Sequence, residues 1–153
     1  MTPGALFRQH VQQEKPLQIP GVINAYNAMM AASLGFKALY LSGGGVANNS
    51  YGLPDVGVTN LTELITDAKR ITDVTDTPLL VDIDTGFGGP LNIKRAIHQM
   101  IQAGVAAVHI EDQVEFKRCG HLSGKTLVSS SEMVDRIHAC VDARDDDTFV
   151  IMA

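Results

Sequence analysis

Five short apolar runs punctuate the chain, Leu17–Ile23, Ala38–Leu41, Leu79–Ile83, Ala106–Ile110 and Phe149–Met152, and the segments between them carry a helical hydrophobic period. Strands that are apolar on both faces and alternate with helices belong in a parallel sheet, because parallel neighbours need long crossovers and the crossover helices cover the sheet. Helices are predicted over Ala25–Leu34, Leu61–Val74, Ile93–Ala103 and Ser131–Ala143, with a further amphipathic helix at Gly4–Gln13 ahead of the first strand. Gly35 and Gly104 each end a helical segment and precede a strand, where a left-handed cap turns the chain. Thr59 and Ser130 or Ser131 are the expected N-caps. With no internal repeat and no interdomain linker, residues 1–153 read as one α/β domain.

Two architectures satisfy this alternation. A flavodoxin-like sheet needs a closing helix over its last strand, and none follows Phe149–Met152. The alternative is the N-terminal half of a TIM-like (β/α)8 barrel, a fold of about 250 residues, with the chain stopping after its fifth strand. Spacing alone leaves both open.

Composition narrows the function classes. A net charge of −5 without a basic stripe argues against nucleic-acid binding, and no apolar run reaches the length of a membrane span. The first residues lack a charged-then-apolar leader, so a cytoplasmic protein with a small-molecule ligand is expected. Cys119 and Cys140 lie far apart without a CxxC, which supports neither a zinc site nor a disulfide framework. Cys140 falls in an apolar helical stretch and reads as a core thiol. Gly124-Lys125-Thr126 is not a P-loop, because the glycine that motif needs five positions earlier is Cys119.

In either fold the functional groups belong at the carboxyl ends of the strands, and those ends are heavily loaded here. Ser42-Gly43-Gly44-Gly45 offers backbone amides suited to a carboxylate or phosphate, and the plainer reading of the run is a flexible βα loop. Asp82 and Asp84 are spaced to share a strand face, as are His109 and Glu111 on the next strand. Adjacent buried carboxylates repel unless a cation joins them, and hard oxygen donors suggest Mg²⁺ or Mn²⁺. The plainer reading is a set of acids that cap helices or pair with Lys94 and Arg95. Lys117-Arg118-Cys119-Gly120-His121 lies in a connection from about Asp112 to Ser129, longer than most βα loops. Its cations should favour the thiolate of Cys119, which makes the thiol a candidate proton donor and the loop a lid; a surface basic loop that happens to hold a cysteine also fits.

Leu39–Ala47, Gly52–Asp55, Leu80–Gly88, His109–Gln113 and Lys117–His121 together resemble the 2-methylisocitrate lyases of the isocitrate lyase and phosphoenolpyruvate mutase superfamily. That resemblance implies a Mg²⁺-dependent, retro-aldol cleavage of a tricarboxylate to pyruvate and succinate, in a cytoplasmic homotetramer of propionate catabolism, with isocitrate or dimethylmalate as alternative substrates. It implies that Asp82 binds the metal directly while Asp55, Asp84 and Glu111 hold its waters. Ser42, Gly43 and Gly44 would grip a substrate carboxylate, with Tyr40 near the reacting end. Cys119 would supply the proton, and Arg118, Gly120 and His121 would position that end of the substrate. The family's chain continues beyond Ala153 with further pocket residues, so an inactive fragment is the competing expectation for these residues alone.

Overall fold

A computed structural model describes residues 1–153. Four parallel strands form one sheet in sequential order: β1 (Leu39–Leu41), β2 (Leu79–Asp82), β3 (Ala107–His109) and β4 (Val150–Met152). Six helices accompany them: α1 (Pro3–Gln13), α2 (Ala25–Ser33), α3 (Gly43–Tyr51), α4 (Leu61–Thr72), α5 (Pro90–Gln102) and α6 (Ser130–Ala143). No helix is long and apolar enough to cross a membrane.

The alternation along the strands decides between the two architectures. Leu39, Leu41, Leu79, Val81 and Val108 face one way and join α2, α4, α5 and α6 in a single core cluster. Leu80 and Ala107 face the other way and join Phe7 of α1, with Tyr40 and Val150 packed beside them. A doubly wound sheet reverses its strand order at a switch point and covers both faces with crossover helices. Here the order never reverses and every crossover helix lies on one side, which is the arrangement of a (β/α)8 barrel wall.

Three expectations need correction. Leu17–Ile23 is extended but is no sheet strand; Gly21 makes only an isolated parallel bridge to Tyr40, supported by Val22 N–H donating to the Tyr40 carbonyl. Pro20 has no N–H to extend that ladder. The glycine run after β1 is α3, whose start is capped by Ser42 and whose end is turned by left-handed Gly52. The remaining N-caps sit one residue from those expected: Asn60 forms a capping box with Glu63, and Ser129 accepts from the Glu132 amide. Gly35 and Gly104 have the positive φ predicted for them.

Candidate active site

The carboxyl ends of β1, β2 and β3 converge on one cluster of charge. Ser42 follows β1 and turns its Oγ back to accept from the Gly45 amide, so the α3 N-terminus is aimed at the neighbouring strand end. Gly43 N–H then donates to Asp82 Oδ2 at 3.2 Å. A Cβ on Gly44 would lie 2.8 Å from Cγ of Asp55, and one on Gly43 would lie 3.1 Å from Asp84 Oδ1. The glycines therefore let three carboxylates crowd the helix start, and the Gly43 amide is already engaged by one of them.

Asp82 and Asp84 do meet, though not through strand pleating. β2 ends at Asp82, and Asp84 lies in a left-handed turn with φ of 49°. That turn brings the Asp84 amide onto Asp82 Oδ1 at 3.0 Å and presents the Asp84 carbonyl to the Glu111 amide at 2.9 Å. A positive φ at a non-glycine residue is strained and persists where surrounding contacts over-determine it.

Charge is unevenly compensated. Burial and the neighbouring Asp82 raise the Asp84 carboxyl to about 6, even though Lys117 opposes them. Burial would also raise Asp82, but His109, the Asp84 amide and Lys117 outweigh it and hold that carboxyl below its usual range. His109 Nδ1 stands 3.6 Å from Asp82 Oδ1, an ion-pair distance beyond hydrogen bonding, and contact with that carboxylate shifts the imidazole upward. The Tyr40 phenol, facing the same carboxylate from β1, is raised mainly by burial and then by Asp82, and stays protonated.

Lys117 overturns one expectation. Its ammonium does not attend the thiol of Cys119; it lies among carboxylates, 2.5 Å from Asp84, 2.8 Å from Asp55 and 3.6 Å from Glu111. The side chain is 4% exposed. Burial alone would depress this lysine, but Asp55 and Asp84 hold it firmly charged. Lys94 and Arg95 of α5 form no ion pair with these acids, so the plainer pairing read from the sequence is replaced by Lys117.

Four carboxylates against one lysine leave surplus negative charge, and Glu111 Oε1 is buried without a hydrogen-bond partner. Such a hard-oxygen set fits a small divalent cation. No three of these side chains already chelate, because Lys117 lies between Asp55, Asp84 and Glu111. A cleft of about 220 Å³ runs from Asp84 and Lys117 past Thr85 and Phe87. A larger groove of about 330 Å³ lies at the opposite end of the strands, but its Lys69 and Asp73 are solvent-exposed and nothing buried and charged converges there.

The remaining predicted residues lie on the arm between Asp112 and Ser129. Cys119 is half-buried, while Arg118, Gly120 and His121 are exposed. The base of the arm is pinned by Val114 N–H to the Thr126 carbonyl and Val128 N–H to the Asp112 carbonyl. Its tip is held by Lys125 Nζ, which donates to the carbonyls of Gly120 and Leu122. Two residues without an assigned role also gather here. Arg136 of α6 donates to the Gln113 carbonyl at 2.8 Å, and buried Gln113 bonds both Glu111 and the Arg118 backbone. Gln113 stands within the His109–Gln113 motif, which was the only sequence signal for it; Arg136 had none.

Comparison with known proteins follows the same geometry. Residues 7–153 match the phosphoenolpyruvate phosphomutase family model. The chain is 61% identical to the 2-methylisocitrate lyase of Vibrio cholerae serotype O1 over 153 residues, all of this chain and 50% of that protein. It superposes on a crystal structure of 2,3-dimethylmalate lyase with a TM-score of 0.88 at 40% identity, covering 99% of this chain and 52% of that one. A phosphonopyruvate hydrolase complexed with oxalate and Mg²⁺ superposes with a TM-score of 0.82 at 26% identity, covering 99% and 51%. The chain thus spans about half the length of the relatives it matches.

Proposed function

The chain belongs to the phosphoenolpyruvate phosphomutase family and has the architecture of half a (β/α)8 barrel, and from that premise we propose that the intact protein is a carbon–carbon lyase cleaving 2-methylisocitrate to pyruvate and succinate. The observation that carries this reading is the convergence of Asp55, Asp82, Asp84 and Glu111 at the strand ends, with the Cys119 arm rooted beside Glu111. The identity with 2-methylisocitrate lyase, higher than that with the dimethylmalate enzyme, favours the tricarboxylate substrate.

Asp82 would hold Mg²⁺, or Mn²⁺, directly, with Asp55, Asp84 and Glu111 binding its waters. The bound cation would offset the negative charge that develops on the hydroxyl oxygen of the pyruvate half. Ser42 and the free amide of Gly44, at the positive start of α3, would receive a substrate carboxylate. Protonated Tyr40 would donate a hydrogen bond near the reacting carbons. The hydroxyl proton passes to the carboxylate cluster as the carbon–carbon bond breaks, and the electron pair of that bond goes to the succinate half. Cys119 Sγ–H delivers the proton that quenches this carbanion, with Arg118, Gly120 and His121 steering the succinate end.

The test is Cys119→Ser in the intact protein, followed by pyruvate release from 2-methylisocitrate, isocitrate and 2,3-dimethylmalate. Loss of a positioned proton donor should lower kcat by about 10² to 10⁴-fold. Undiminished turnover would exclude the thiol, and a preference for either other substrate would reassign the specificity.

A further inference from the structure

Gln113 takes no part in the chemistry above, yet it is 3% exposed and its side-chain amide is almost fully engaged. Its Oε1 accepts from Arg118 N–H at 3.1 Å, and its Nε2 donates to the Arg118 carbonyl at 2.8 Å. One amide thus pairs with both backbone groups of a single residue, as a neighbouring strand residue would. The second Nε2 proton reaches Glu111 Oε2 at 3.1 Å. The backbone of Gln113 is itself fixed from outside, by Arg136 Nη1 on its carbonyl and by an antiparallel bridge to Leu127.

Each end of this contact touches a different working part. Glu111 belongs to the carboxylate cluster, and residue 118 immediately precedes the thiol. We infer that Gln113 is a positioning residue: a single buried amide that locks the Glu111 carboxylate and the Arg118 backbone together and so fixes the place of Cys119 relative to the cluster. The clamp stands on geometry alone; its effect on turnover rests on the reading of Cys119 as proton donor.

Residue 118 is exposed, so water can satisfy its backbone when the amide is removed, and the loss should appear as arm mobility rather than unfolding. Gln113→Leu in the intact protein should lower kcat by about 10 to 100-fold, the scale of a misplacement near 1 Å, with a smaller rise in KM, because one substrate carboxylate is received on α3 while Arg118, Gly120 and His121 of the loosened arm steer the succinate end. Without substrate, iodoacetamide should alkylate Cys119 several-fold faster than in the parent protein. Peptide mapping identifies the site, and buried Cys140 serves as the unreactive control. Gln113→Asn, one methylene too short to reach both partners, should move both readouts the same way by less, and it replaces the leucine variant if that variant loses its helical circular dichroism. Lower kcat with unchanged alkylation, or no change in either, overturns the inference; so does faster alkylation with unchanged kcat where Cys119→Ser has shown the thiol to be the donor. If Cys119→Ser shows that the thiol is not the donor, the alkylation rate still reports on the clamp, so the two readings fail separately.

Discussion

At the end of the sheet where its strands begin, Phe7 packs against Ala38, Leu80, Ala106 and Ala107, and Arg8 donates to the carbonyls of Thr148 and Phe149. At the end where they finish, three carboxylates share one lysine beside a fourth on Asp82, Asp84 and Phe87 adopt positive φ, and Glu111 Oε1 and His109 Nδ1 are buried without hydrogen-bond partners. The first end is built as a core is built. The second gathers strain, surplus charge and unmet hydrogen-bonding capacity within one fold. The contrast supports the proposed site at the carboxyl ends: stability is concentrated at one end of the strands so that the other can remain frustrated.

The strongest test of this contrast is Phe7→Ala. Truncating a fully packed aromatic should cost about 3 to 5 kcal/mol, read from the urea midpoint of the intact protein, with Mg²⁺ affinity measured by calorimetry left unaltered in the folded fraction. Parallel loss of Mg²⁺ affinity would mean that the two ends are not separable. Asp84→Asn should act with the opposite sign. It deletes a charge beside Asp82 at constant shape, so it should stabilise the protein by about 1 kcal/mol at pH 7 without divalent ions and weaken Mg²⁺ binding. A lower denaturation midpoint would show that the Lys117 contact outweighs the repulsion.

The smallest effect belongs to the body between the two ends. Burial raises the Cys140 thiol to about 11 from its ordinary 9.0. A folded-state pKa above the unfolded one means full stability below pH 9.0, lost as pH rises towards 11. The loss should amount to about 0.4 kcal/mol by pH 9, a slope that Cys140→Ala removes from melting curves taken between about pH 8 and pH 9.5. An unaltered slope would move that titration to another group.

The body of the fold was largely legible in the sequence. Apolar runs and the helical period located β1 to β4 and five helices, and Gly35 and Gly104 marked helix ends correctly, because these features depend on local backbone preference and burial. α3 was missed because three glycines in its first turn read as a loop, although Ser42 before them and Gly52 after the segment are ordinary cap residues. The site was legible in its residue types but not in its pairings. Nothing local distinguishes a lysine that faces a neighbouring thiol from one that folds back onto Asp55 and Asp84, and Lys117 does the second. Asp84 joined Asp82 as expected, but through a left-handed turn that strand periodicity cannot foresee. Gln113 acquires its partners only when the long arm returns over β3.

The contacts of α1 also constrain the order in which the chain assembles. Thr2 and Arg8 bond to Thr148 and Phe149 across 140 or more residues, and Gly4 packs so close to Thr148 that a Cβ would lie 2.5 Å from its carbonyl oxygen. The α1 helix therefore leaves the ribosome well before its seat exists, since that seat is not complete until β4 has been made. Until then its apolar side, Phe7 included, has to be shielded or held by other means, so α1 is open to misassembly for as long as β4 is still to be made.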